Sequence, residues 1–211
     1  AVEVALKIAF QYYRQRDQAL AKDRRQRRSR YIAFTDAYHG DTLGAMSLGR
    51  GSGFFNLFRN MMCQVAVLPF PYTFEGDDAV EDRLKGALTA LEDRLSNGTH
   101  DVAALIIEPM LQGAGGMRMC RPEFLKRLVE IAQSIGVLVI FDEVATGFGR
   151  TGTLFAMQQA GVVPDLVCLS KGLTSGYMPM AVTVVCDKVF EAFLGDDFDR
   201  ALPHGHSFTA N

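Results

Sequence analysis

The chain has 211 residues, of which 48% are hydrophobic and 22% charged, with a mean hydropathy of +0.07. This balance excludes a disordered or collagen-like chain and is enough for one large domain or two small ones. The net charge of −2 hides an asymmetry: Arg14 to Arg30 carries eight basic and two acidic residues, which leaves 14 basic against 22 acidic elsewhere.

The chain opens in a helical pattern. Val2, Val4, Ala5, Ile8, Ala9, Tyr12 and Tyr13 recur at three-to-four spacing, with no capping residue before Ala1. The basic stretch follows. It lacks the interleaved aromatics of a nucleic-acid surface and reads as a solvated helix end and loop, so no nucleic-acid partner is expected.

A short strand at Tyr31–Phe34 leads into a polar turn, Thr35–Thr42, that carries Tyr38, His39, Gly40 and Asp41. Gly49, Gly51 and Gly53 loosen the next loop. Apolar and amphipathic runs then alternate, predicting strand 64–70, helix 78–96, strand 102–107, helix 121–134, strand 136–141, helix 153–160, strand 166–170 and strand 180–186. Strand and helix in alternation point to an α/β fold with a mostly parallel sheet covered by helices. The nearly pure hydrophobic strands fit a sheet buried on both faces.

The strand ends break that pattern. Glu108 closes one, Asp142 and Glu143 the next, and Lys171 the third. In open α/β sheets, ligands bind at the carboxyl ends of the strands. A lysine there, after Leu166-Val-Cys-Leu-Ser, is expected in a desolvated crevice that makes its amine nucleophilic. Pyridoxal phosphate needs a lysine for a Schiff base and a carboxylate at its pyridine nitrogen; Lys171 and Asp142 supply that pair. Tyr38 and Val144 are candidates for the two faces of the ring.

Competing motifs are weaker. Gly147-Phe-Gly-Arg-Thr-Gly152 matches GxGxxG, but Asp142 to Thr146 separate it from the strand, and Lys171 stands at the end of the next strand, where an acidic ribose ligand belongs. His204 and His206 lack further ligands for a metal, so no metal is expected. Cys63, Cys120, Cys168 and Cys186 have neither metal nor disulfide spacing and read as reduced, mostly buried thiols. No apolar run reaches the roughly 20 residues of a membrane span, and no signal peptide opens the chain; a cytoplasmic location is expected.

Leu105-Ile-Ile-Glu-Pro109 with Gln112-Gly-Ala-Gly-Gly116, Phe141-Asp-Glu-Val-Ala-Thr-Gly-Phe-Gly-Arg-Thr-Gly152 and Leu169-Ser-Lys-Gly-Leu-Thr174 together resemble the class III, pyridoxal-phosphate-dependent aminotransferases. The resemblance runs the length of the chain and implies the large domain of fold type I. It implies that Lys171 forms the Schiff base, Asp142 pairs with the ring nitrogen, Tyr38 stacks on the ring and Val144 backs it. In that family a threonine hydroxyl binds the cofactor phosphate across a dimer interface. Ser207 stands at this position and keeps the donor, so the resemblance implies a homodimer. Asp41 and Arg150 match positions near the substrate; a turn-stabilising aspartate and a structural arginine are the alternatives.

Within the class, Tyr38–Thr42, Gln112–Met119 and the residues from His204 to Asn211 are most similar to the branch that acts in biotin synthesis. That likeness implies S-adenosylmethionine as amino donor and 7-keto-8-aminopelargonate as acceptor. Another class III aminotransferase with an amino acid or ω-amine donor, or a piece without catalysis, stays open. The family further implies that residues 1–211 are the central cofactor-binding domain of a chain roughly twice as long. It would be truncated at both ends, with a Gly-Ser phosphate turn just before Ala1 and the small-domain segments missing.

Overall fold

The computed structural model describes residues 1–16, 28–96 and 101–205. In chain order the elements are α1 (Val2–Arg16), β1 (Arg30–Phe34), α2 (Leu43–Leu48), β2 (Val65–Leu68), α3 (Val80–Ser96), β3 (Val102–Ile107), β4 (Leu111–Gln112), β5 (Arg118–Met119), α4 (Pro122–Ser134), β6 (Leu138–Asp142), α5 (Met157–Ala160), β7 (Leu166–Leu169), β8 (Val182–Val185) and α6 (Asp187–Glu191).

Six strands form one sheet in the order β2-β1-β3-β6-β7-β8. All neighbours are parallel except β7 and β8. The mixed α/β fold with a mostly parallel sheet is therefore as expected. Residues 170–181 join β7 to the antiparallel β8 and hold a single 3-10 turn, Lys171–Leu173, with no α-helix of the kind that usually carries a parallel crossover.

Alternation along the strands sends side chains into two cores. Ile32, Phe34, Leu105, Ile107, Val139 and Phe141 face Leu91 of α3 and Phe124, Leu125 and Leu128 of α4. Tyr31, Ala33, Ala104, Ile106, Leu138 and Ile140 face α1, through Ala5, Leu6 and Ala9. All six residues of β3 are buried, which explains its unbroken apolar sequence. Each large aliphatic or aromatic side chain so buried contributes about 1.5–3 kcal/mol.

Predicted boundaries shift by one or two residues, strand 136–141 to Leu138–Asp142 among them, and three elements shorten most. The helix expected over 153–160 is only Met157–Ala160, because Gly152 turns at φ +98° and the Thr153 hydroxyl bonds Phe155 O at 2.7 Å. Strand 64–70 shortens to Val65–Leu68, and strand 180–186 to Val182–Val185. Helices α2 and α6 and the small β4–β5 hairpin are additional elements. Among the cysteines, Cys120 and Cys168 are buried but Cys63 is exposed. Most of the basic stretch, residues 17–27, lies outside the described residues. Among the described residues, no helix is long and apolar enough to cross a membrane.

Candidate active site

The carboxyl ends of β1, β3, β6 and β7 border one cavity of about 280 Å³. Its lining includes Tyr38 and His39 from the turn after β1, Glu108 and Gly113 beyond β3, Asp142 and Val144 at the end of β6, and Lys171 beyond β7. Tyr38, Asp142, Val144 and Lys171, which are scattered over 134 positions of sequence, thus share one space. The register explains why: Ile107 pairs with Phe141 and Asp142 with Cys168, so the polar residues that end these strands come level.

Asp142 is 4% exposed and held from two sides. Its Oδ2 accepts a hydrogen bond from His39 Nδ1 at 2.7 Å, and its Oδ1 accepts the Val144 N–H at 3.1 Å. A carboxylate only accepts, so Nδ1 of His39 carries the proton. His39 Nε2 is buried and has no partner among the described residues. The sequence had placed His39 in the turn without a role; its partner is 103 residues away, and no local pattern announces it.

Glu108 is buried too. Its Oε1 accepts the Tyr38 N–H at 3.1 Å and its Oε2 the Gly113 N–H at 3.0 Å. Burial pushes its carboxyl above the ordinary range; His39 and the two N–H donors pull it back, and Asp142 pushes it further.

Tyr38 is partly buried, lies nearly parallel to Phe55 with ring centroids 6.0 Å apart, and donates its hydroxyl to Asp41 Oδ1 at 2.9 Å. That hydrogen bond raises the phenol above its usual value. Helix α2 begins right after this turn, and its first amides are capped from α1: Glu3 Oε2 accepts Gly44 N–H at 2.9 Å and Ala45 N–H at 3.2 Å.

Lys171 departs from expectation. It is exposed rather than desolvated, because it starts a 3-10 turn beyond β7 on the open side of the cavity, followed by an exposed stretch from Ser175 to Ala181. Its φ of +38° is unusual for a residue with a side chain, and such strain gathers at functional sites. Of the two substrate candidates, Asp41 is bonded to Tyr38 of the cavity lining, whereas Arg150 is exposed and does not line the cavity. Ser207 lies outside the described residues.

The GxGxxG segment is a closed loop. Phe148 N–H and Gly149 N–H both donate to Leu154 O, and the four-residue helix after it receives its anion from within: Glu143 accepts the Ala156 and Met157 amides, each at 2.8 Å. A dinucleotide phosphate would find that helix end taken. His204 is exposed and lies 3.3 Å from Lys7 Nζ through its Nδ1; His206 is outside the described residues. Among the described residues no group of three His, Cys, Asp or Glu is arranged to hold a metal.

The model of the aminotransferase class-III family matches residues 1–211. This chain belongs to that family. Two curated relatives of this class-III chain are adenosylmethionine-8-amino-7-oxononanoate aminotransferases. That of Synechococcus elongatus is 51% identical over all of this chain and 47% of its own length. That of Geobacter sulfurreducens is 43% identical over all of this chain and 46% of its own. The class-III chain thus spans about half the length of these relatives.

Solved structures of transaminases share the fold. An amine transaminase from an uncultivated Pseudomonas species, in its PLP-bound form, superposes with a TM-score of 0.86 at 33% identity, covering 99% of this chain and 46% of that one. The adenosylmethionine-8-amino-7-oxononanoate aminotransferase of Methanocaldococcus jannaschii does so with a TM-score of 0.82 at 32% identity, covering 98% and 44%.

Proposed function

We propose that this chain is the central, cofactor-binding domain of a pyridoxal-phosphate-dependent aminotransferase that moves an amino group from S-adenosylmethionine to 7-keto-8-aminopelargonate, giving 7,8-diaminopelargonate in biotin synthesis. The observation that carries the reading is that Lys171, Asp142, Tyr38 and Val144 line one cavity at the ends of the strands. The names of the curated relatives at 51% and 43% identity support the choice of substrates.

The donor set suits pyridoxal phosphate. A buried carboxylate with a defined orientation and an accessible primary amine are the pair the cofactor requires, and an aromatic ring and a branched aliphatic side chain line the same cavity. When bound, it accepts the electron pair released as a substrate Cα–H bond breaks. Asp142, oriented by His39 and by the Val144 amide, would hold positive charge on the ring nitrogen. Tyr38 and Val144 would cover the ring and keep water off it. Lys171 Nζ would hold the cofactor carbonyl and would serve as the base for the proton on the donor Cα. Its exposed position leaves that amine accessible. Asp41, bonded to the Tyr38 hydroxyl, faces the arriving substrate.

A homodimer with Ser207 of one subunit acting on the phosphate of the other belongs to the same proposal. Exposed apolar side chains support it: Phe54, against Tyr38, is 62% exposed, Leu57, three residues on, is 88% exposed, and Tyr177 is 91% exposed six residues past Lys171. A cytoplasmic location accompanies the biosynthetic role.

The test is the absorbance of the purified chain with added pyridoxal phosphate, before and after borohydride reduction, with peptide mapping of the labelled lysine. Label on Lys171, and its loss in Lys171→Ala, is the expected result. Label elsewhere, in this chain and in the longer protein, overturns the reading. Formation of 7,8-diaminopelargonate from 7-keto-8-aminopelargonate by the longer protein, with S-adenosylmethionine compared against simple amine donors, then decides between the biotin enzyme and an amine transaminase.

A further inference from the structure

Glu108 stands out among the groups that this mechanism leaves unused. It is 4% exposed, lies beside Asp142 at the end of the neighbouring strand, and lines the same cavity. Burying a carboxylate is costly, and an apolar residue at the end of β3 would pack there without that cost. What it could not do is accept two amides.

Those amides belong to opposite walls. Tyr38 N–H comes from the turn after β1, and Gly113 N–H from the loop between β4 and β5. The walls also touch farther out: Gln112 Nε2 donates to Thr35 O at 2.9 Å, Arg118 pairs with Asp36, and Gly115 packs directly on the Asp36 carbonyl. All of these ties act at residues 35 and 36. At Tyr38 itself, the ring rests on Phe55 and the hydroxyl bonds Asp41 within the same turn. The bond to Glu108 ties the Tyr38 amide itself to the end of β3, beside the tie that His39 makes one residue later to Asp142 of β6.

We infer that Glu108 is a positioning residue: its two carboxylate oxygens lock the walls of the cavity together and so set the seat of the Tyr38 ring against the cofactor. The inference rests on the pyridoxal phosphate reading above. It requires a carboxylate of this length. A glutamine turns its NH2 toward one of the two amide donors and loses that tie, and an aspartate is too short to span both walls.

The experiment uses the complete chain, wild type, Glu108→Gln and Glu108→Asp, with pyridoxal phosphate titrated by absorbance and amide hydrogen exchange followed at Tyr38 and Gly113 without cofactor. Both variants should bind the cofactor about tenfold more weakly, the scale of one lost hydrogen bond to a charged group, and the Tyr38 or Gly113 amide should exchange at least about tenfold faster. If Glu108→Gln does not fold, Glu108→Asp carries the same comparison. A wild-type chain that binds the cofactor, with a variant that binds within twofold, overturns the inference alone; so does faster exchange with unchanged affinity, which leaves Glu108 a purely structural tie. A wild-type chain that takes up no cofactor overturns the proposed function and the inference together.

Discussion

His39 donates from Nδ1 to Oδ2 of Asp142 across 2.7 Å, with the imidazole fully shielded from solvent and the carboxylate 5% exposed. The pair joins the turn after β1 to the end of β6 and leaves Asp142 with a fixed orientation before anything enters the cavity. Removing the imidazole leaves a buried carboxylate oxygen without that donor. His39→Leu is therefore expected to lower the unfolding free energy by about 1–3 kcal/mol, read from the urea midpoint at constant m, and to weaken cofactor retention.

Glu143 governs a pH effect. Burial raises its carboxyl above the ordinary 4.5, while the Ala156 and Met157 amides and the Thr146 hydroxyl pull it down. An acid whose folded-state pKa is raised binds more protons when folded, so its contribution favours the folded state below about 4.5 and is lost as pH rises through the raised value. In Glu143→Gln this component vanishes. Its unfolding free energy should fall less steeply with rising pH just above 4.5 than that of the wild type, in paired denaturant titrations.

Gly115 is packed so closely that an added methyl would overlap the Asp36 carbonyl oxygen. The obstacle is backbone and not the end of a flexible side chain. Gly115→Ala should cost about 1–3 kcal/mol, as overpacking does, whereas Gly86→Ala, where nothing lies within 4 Å, should be neutral or stabilising in a helix interior. Thermal unfolding of the two variants side by side checks the contrast.

Tyr38→Phe removes the bond to Asp41 and keeps the ring. Cofactor affinity, followed by absorbance, should stay within about twofold, because the lost bond is partly exposed and worth roughly 1 kcal/mol or less. The effect should fall on substrate KM in the longer protein, since the released Asp41 carboxylate is no longer held at the mouth of the site.

How much of this was legible depended on range. The strands showed themselves as apolar runs because both sheet faces are buried, and Asp142 and Lys171 showed as ionisable residues that end those runs. Helix α2 did not: Leu-Gly-Ala-Met-Ser-Leu is only six residues, and its cap is Glu3, supplied from α1 about 40 positions away. The role of His39 was hidden for the same reason. The exposure of Lys171 was missed because the apolar residues before it describe β7, and the chain leaves the sheet just where the lysine stands. The shortness of α5 comes from the Gly152 turn and the Thr153–Phe155 bond, after which Glu143, earlier in the chain, accepts the first amides of the helix.

The cavity draws its groups from β1, β3, β6 and β7, four consecutive members of one parallel sheet. No subset of these strands contains the site, and no two of them are joined by a short hairpin. The polar groups therefore converge only after every one of the intervening crossovers has closed, which places the assembly of the site among the late, non-local events of folding. A ligand held there would act as a sensor of completed topology: it would slow proteolysis of β1 and β7 alike, although they are more than 130 residues apart, because releasing either strand would forfeit the same binding energy.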